Sequence, residues 1–363
     1  MNKSKYIIIF LAALLAISSC THKFDEYNRN PNQIEVGNIV PSSMMKSLIY
    51  YSADIFLNRT WLLNGELMQY TVSASNNTAY HRYTIQSGVS VAVWKDLAEW
   101  ASNANEMYGL AVKEENENYQ AVALTMKVLL MSNITDSFGD MPYSQAFGIS
   151  GGSHQPAYDT QEEIYRQMFS ELELANSLYN PGIELVPTDV DLLYGGQTAK
   201  WQKFTNSLYL RLLMRLSNRD NLMGISEKIT EIINNPSKYP IFTSNGDNAK
   251  LEYTGVNPFS NRFSEVSETT FNGRRMGKFF IDYMKELGYP CIQWFAYRSN
   301  NPAYNGVDCG MPIDDTVLTG ASVLPQTVLR MGPSPSRLLK YYQIQFILPE
   351  PPHRGMTLRS LPP

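Results

Sequence analysis

Between residues 41 and 287, apolar side chains recur every three or four positions in segment after segment. Only an α-helix turns that period into one buried face. Pro41-Ser42-Ser43 opens the first such segment, which carries Met44, Met45, Leu48 and Ile49. Trp61 to Tyr70 reads as a second helix, and Val72 to Gly88 as a polar loop rich in Ser, Asn, Tyr and Thr. The helical period returns over Trp94 to Val112, with Trp94, Leu97, Ala98, Ala101, Ala104 and Asn105 along one stripe. It continues over Asn118 to Ile134, nearly all apolar on its inner face. After a loop from Asp136 to Gly152, Thr160 with Glu163 three residues on forms a capping box. The helix it starts carries Ile164, Met168, Leu172 and Ala175. Ala199 to Leu216, Ser226 to Ile233 and Gly273 to Leu287 are further helices, and residues 236 to 270 are irregular. The expectation is an all-α fold whose helices pair as helix–turn–helix units, loosely like tetratricopeptide repeats. They form a solenoid-like core with long irregular loop insertions. No repeat of fixed period stands out.

The first residues address the chain to a compartment. Lys3 and Lys5 precede an apolar run from Tyr6 to Ile17, and Ile17-Ser18-Ser19-Cys20 follows at once. A basic start, a short apolar core and small residues at a cut make a secretory signal. The run is shorter than the ~20 residues a membrane span needs. A cysteine at the cut offers a thiolate for lipidation, so residues 1–19 read as a lipoprotein signal peptide and Cys20 as the lipid anchor. Acyl chains contribute ~0.8 kcal/mol per buried CH2, which makes such anchoring durable. Residues 20–40 are polar and aperiodic, contain Asn30-Pro31-Asn32, and read as an extended tether. Residues 41–363 are expected to form a single domain. The formal net charge of −4 argues against nucleic acid. Cys291 and Cys309, the cysteines left after Cys20, permit one disulfide and require none.

Catalysis needs groups the sequence does not assemble. His22, His81, His154 and His353 lack the spacing of helical metal ligands. There is no nucleophile elbow, phosphate loop or dinucleotide fingerprint. Asp136 and Asp140 have the look of a glycosidase pair. The plainer reading is that both organise a turn after a helix by accepting backbone N–H bonds. Two carboxylates also fall short of the six or more oxygens that calcium takes. The expectation is no enzyme activity, no metal and no cofactor.

Four blocks carry a family resemblance. They are Phe24-Asp25-Glu26-Tyr27-Asn28-Arg29-Asn30-Pro31-Asn32, Thr135-Asp136-Ser137-Phe138-Gly139-Asp140-Met141-Pro142-Tyr143, Tyr158-Asp159-Thr160-Gln161-Glu162-Glu163-Ile164-Tyr165, and Lys200-Trp201-Gln202-Lys203-Phe204-Thr205-Asn206-Ser207-Leu208-Tyr209-Leu210-Arg211. In this order, behind a lipoprotein signal, they resemble the SusD/RagB family of nutrient-binding outer-membrane lipoproteins over roughly residues 20 to 290. The resemblance implies a helical fold with tetratricopeptide-like pairs, a loop-rich face and no catalysis. It implies a lipid-anchored protein at the cell surface. There it would capture glycans, or peptides in some members, and hand them to a SusC-like TonB-dependent transporter. A secreted glycoside hydrolase and an adhesive lipoprotein are the competing classes.

A glycan binder needs flat aromatic faces for sugar rings and polar side chains for hydroxyls, several converging because each contact is weak. The loop Ser73 to Tyr83 offers that mixture: Asn76, Asn77 and Arg82 as hydroxyl partners, Tyr80 and Tyr83 as stacking platforms. The alternative is that its tyrosines simply pack onto neighbouring helices. Trp294, in an irregular stretch, is a further candidate platform. Trp61, Trp94 and Trp201 fall at helical spacing among apolar residues and read as core.

The carboxy-terminal end departs from the family pattern. Pro349, Pro351 and Pro352 stand where a helix is expected, and each costs ~3 kcal/mol in a helix interior. Tyr289-Pro290-Cys291 replaces a usual Asp-Pro-Arg-like turn. The reading is of a domain altered or truncated after about residue 288.

Overall fold

In a computed structural model, the described residues are 39–73, 80–147, 155–251, 253, 259–260, 273–290, 292, 296, 304–311 and 322. The chain separates into two compact units, Met1–Val40 and Pro41–Pro363. The second holds the helical array. The lipid-anchor residue Cys20 and the rest of the tether up to residue 38 lie outside the described residues.

The helices are α1 (Pro41–Arg59), α2 (Ser87–Lys113), α3 (Glu117–Phe138), α4 (Gln161–Leu178), α5 (Thr198–Arg215), α6 (Ile225–Asn234) and α7 (Lys278–Glu286). From α1 to α6 each packs mainly on its sequence neighbours, the arrangement of tetratricopeptide-like pairs. The fold is all-α, as expected. Helix α3 lies at the centre. Asn118 to Ser132 is buried at almost every position, the signature of a helix enclosed on all sides. Its polar residues are therefore all spoken for. Thr125 bonds the hydroxyls of Tyr179 and Thr205, and Lys127 pairs with Glu171 on α4 at 2.6 Å. A buried lysine is tolerated only when paired in this way.

Three local expectations are revised. Trp61 to Tyr70 is not a separate helix. Helix α1 runs on through a π-helical turn, Thr60–Asn64, into the short turn Gly65–Leu67. Residues 273–277 are not helical either. Arg274–Met276 is strand β2, paired antiparallel with β1 (Thr71–Ser73), with Thr71 opposite Met276 and Ser73 opposite Arg274. Of the three tryptophans read as core, only Trp201 is fully buried. Trp94 and Trp61 are half-buried at the edges of the array, because a stripe of helical spacing does not show how far along the helix the neighbours reach.

The motifs that carried the resemblance splice helices together. Gly139 ends α3 with φ +77°, a conformation that favours glycine. Asp140 accepts the N–H of Gln161, the first residue of α4, at 2.8 Å. Asp136 was expected to organise the turn. It instead accepts the Tyr165 hydroxyl at 2.6 Å and pairs with Arg215 at 2.7 Å, tying α3 to α4 and α5. The turn is held by Asp159, which accepts the N–H groups of Tyr143 and Ser144 and the Ser144 hydroxyl. The capping box of Thr160 and Glu163 is present as read. In the fourth block, Trp201 donates its indole N–H to buried Asp191 at 2.8 Å, and Phe204 and Leu208, with Leu212 just beyond it, face inward.

Candidate functional site

The candidate site is built where the end of α1 meets the β1–β2 ribbon. The π-helical turn closes five-residue rather than four-residue loops, so it rotates the face that follows. That rotation brings Glu66 inward, 2% exposed, on a helix end whose neighbours Asn64 and Met68 face solvent. Strand β2 supplies Arg274 opposite it. The guanidinium donates to Glu66 Oε1 at 2.9 Å and lies over the Trp61 ring, 4.7 Å from its centroid. Burial lowers the Arg274 pKa, and the Glu66 charge works against that shift. The approach of the two segments is close. A Cβ on Gly277 would sit 2.0 Å from the Gln69 carbonyl oxygen, so only glycine allows Gly277 N–H to reach Tyr70 O at 2.9 Å.

A third segment closes the clamp. Val307 bonds Met276 and Lys278 through its backbone, and Val72 packs on Val307 with Cys309 and Met311 at the margin. Cys309 carries a free thiol, and Cys291 lies outside the described residues. Burial first, then the charges of Glu66 and Asp308, push that thiol up to about 11.

On this clamp sits the turn Tyr80–Arg82, one round of 3-10 helix. His81 is 1% exposed. Its backbone N–H donates to Glu66 Oε2 at 3.0 Å, and its Nδ1 accepts the Gly310 N–H at 3.2 Å. Arg82 Nε donates to the Met311 carbonyl at 2.8 Å. Tyr83 follows with φ +57°, a left-handed conformation that costs a bulky residue about 1–3 kcal/mol and persists only where its surroundings impose it. Here its N–H is fixed to Tyr80 O at 2.8 Å, and its side chain projects into solvent, 68% exposed.

Of the residues singled out in the sequence, Tyr80, Arg82 and Tyr83 therefore share one turn. Tyr83 does not pack onto a helix, Tyr80 is half-buried, and Arg82 serves at least partly as an anchor. Asn76, Asn77 and Trp294 lie outside the described residues. The sequence reading missed Glu66, His81, Arg274 and Gly310, which hold the turn. The available signal was a glutamate six residues before a polar loop that contains Tyr80-His81-Arg82-Tyr83, which has no motif. Among the described residues no three metal-ligating side chains cluster, and no helix is long and apolar enough to cross a membrane. Asp136 is bonded to Arg215 and Tyr165, and Asp140 accepts the Gln161 N–H. The geometry is that of a rigid support presenting an aromatic ring beside hydrogen-bonding groups.

A family described as "starch-binding associating with outer membrane", SusD-like, matches residues 31–360. The chain belongs to the SusD-like family. The match continues well past residue 288, so the unusual carboxy-terminal end still lies within the region recognised. Solved SusD-like structures share the fold. A SusD homologue from Bacteroides fragilis is 22% identical, with a TM-score of 0.67, over 81% of this chain and 63% of its own. A chitin-binding protein is 25% identical, with a TM-score of 0.64, over 80% and 65%. A chitin-binding SusD homologue from Flavobacterium johnsoniae is 21% identical, with a TM-score of 0.64, over 80% and 61%. The chain thus spans less than two thirds of the length of these structures. No curated protein matches its sequence.

Proposed function

We propose that this SusD-like protein is a non-catalytic, surface-exposed lipoprotein of the outer membrane. It is anchored through Cys20, captures a glycan, and delivers it to a SusC-like TonB-dependent transporter. The observation that carries the reading is the Tyr80–Tyr83 turn in a SusD-like chain. A solvent-facing tyrosine is held in a strained backbone by a buried polar clamp, an arrangement that costs stability and gains a fixed stacking face. Arg82 and the neighbouring Asn76 and Asn77 would supply bonds to hydroxyls, and Trp294 a further platform. The names of two similar structures place chitin among the ligands to try, and the family description adds starch.

The test is isothermal titration of the purified protein against starch, chitin oligosaccharides, other soluble polysaccharides and peptides, repeated with Tyr80→Ala/Tyr83→Ala. The expected result is binding of one polysaccharide, no release of sugar, and loss of binding in the double variant. Sugar release would overturn the non-enzymatic reading. Heat only from peptides would replace glycan by peptide as the cargo.

A further inference from the structure

Among the residues that hold the turn, His81 is the pivot of the clamp. It is the one titratable imidazole among the described residues, and it is almost fully buried. Its Nδ1 accepts a bond from the backbone of Gly310, more than two hundred residues away in sequence. An imidazole can accept at Nδ1 only when that nitrogen carries no proton. The observed bond therefore specifies the neutral ring with its proton on Nε2. A second proton would put two donors, Nδ1–H and Gly310 N–H, face to face 3.2 Å apart.

The charges around the ring come from each element packed on it. Arg82 neighbours it on its own turn, Glu66 comes from the end of α1, and Arg274 from β2. Asp308 and Cys309 flank Gly310 on the opposing segment. Burial lowers the His81 pKa most, and Arg82 lowers it further. Glu66 and the Ser73 backbone carbonyl oppose them, and Arg274 adds a little to the lowering. Glu66 is shared, one of its oxygens accepting from Arg274 and the other from the His81 N–H.

We infer that His81 is a positioning residue. Its neutral imidazole latches the Tyr80–Tyr83 turn to the segment around Gly310, and protonation of the ring releases the latch. This deepens the proposed glycan-capture reading by making the presentation of Tyr83 depend on pH, but the latch can be tested without any ligand. The sign follows from linkage. A released turn exposes a histidine of ordinary pKa, about 6.5, whereas the latched one holds its proton less well. The latch is fully closed above that value and opens as pH falls through and below it. For one proton, the closed-to-open ratio changes by up to about tenfold per pH unit. Histidine is the side-chain type whose ordinary pKa falls between pH 7.5 and 5, and His22, His154 and His353 are common to every variant compared.

The experiment is amide hydrogen exchange on the whole protein, corrected for the intrinsic pH dependence of exchange. Gly310 and Tyr83 are followed between pH 7.5 and 5, in the wild type, His81→Asn and His81→Ala. Asparagine places Oδ1 near the position of Nδ1 and accepts the same bond without titrating. Protection at both amides should fall with pH in the wild type, stay level in His81→Asn, and be low throughout in His81→Ala. Identical profiles in wild type and His81→Asn would overturn the latch, as would wild-type protection in His81→Ala. Isothermal titration with starch and with chitin oligosaccharides at pH 7.5 and 5 then separates the two readings. Affinity that weakens at pH 5 in the wild type alone supports both. Unchanged affinity with an opened latch leaves the latch standing and moves the glycan site away from Tyr83.

Discussion

Replacing Glu66 by glutamine tests the clamp where it is most exposed to failure. The Glu66 side chain is 1% exposed and that of Arg274 11%, so water and salt screen their attraction little. Each Glu66 oxygen accepts one strong donor, the Arg274 guanidinium at 2.9 Å and the His81 N–H at 3.0 Å. Glutamine keeps one acceptor oxygen and turns an NH2 toward the other donor. It also leaves the guanidinium without its counter-charge. Removing one partner of a buried pair costs about 3–5 kcal/mol, mostly the penalty of the stranded charge. Arg274→Met strands Glu66 in the same way and also strips the cation from the Trp61 face. The double variant strands neither. We expect each single variant to lose about 3–5 kcal/mol in urea unfolding monitored by tryptophan fluorescence. The double variant should lose clearly less than the sum, with a coupling of about 2–3 kcal/mol. A loss below about 1 kcal/mol in Glu66→Gln, or singles that add within about 0.5 kcal/mol, would refute the pair as the support of the turn.

Gly277→Ala should destabilise the protein at the upper end of the roughly 1–3 kcal/mol typical of overpacking, because the atom in the way is the Gln69 backbone; urea midpoints measure it. Gly109→Ala should do the reverse. The site is open space inside α2, and about 0.5–1 kcal/mol of stability is gained. Thr160→Ala removes the side-chain half of the α4 capping box, leaving the backbone N–H on the Glu163 carboxylate, and should cost about 1 kcal/mol in the same assay. Acid unfolding should depend on Asp247. Burial pushes its carboxyl up, but bonds from Lys203, the Thr243 N–H and Ser244 outweigh that and hold it at about 2, against an ordinary 3.8. Its contribution is present above pH 3.8 and lost as pH falls toward 2, so Lys203→Met should move the acid-unfolding midpoint to higher pH, followed by circular dichroism.

Much of the fold is written locally. Period and capping alone place α5 and α6 and the starts of α3 and α4 to within a residue, since a helix is held by bonds between near neighbours and its buried stripe by composition, whereas α3 runs four residues past Ile134. The inward placing of Trp201 followed from spacing. So did the aromatic, amide-rich character of the loop that ends in Tyr83. What sequence could not give was decided by contacts distant along the chain. Whether Arg274–Met276 is helix or strand depends on β1, some two hundred residues earlier, offering an edge to pair with. Glu66 looks like any surface glutamate until the π-helical turn rotates it inward and Arg274 arrives to meet it. His81 looks like a loop histidine until the Gly310 N–H fixes its tautomer. Tyr83 projects into solvent because those non-local bonds, and not its own preference, hold its backbone in the left-handed region.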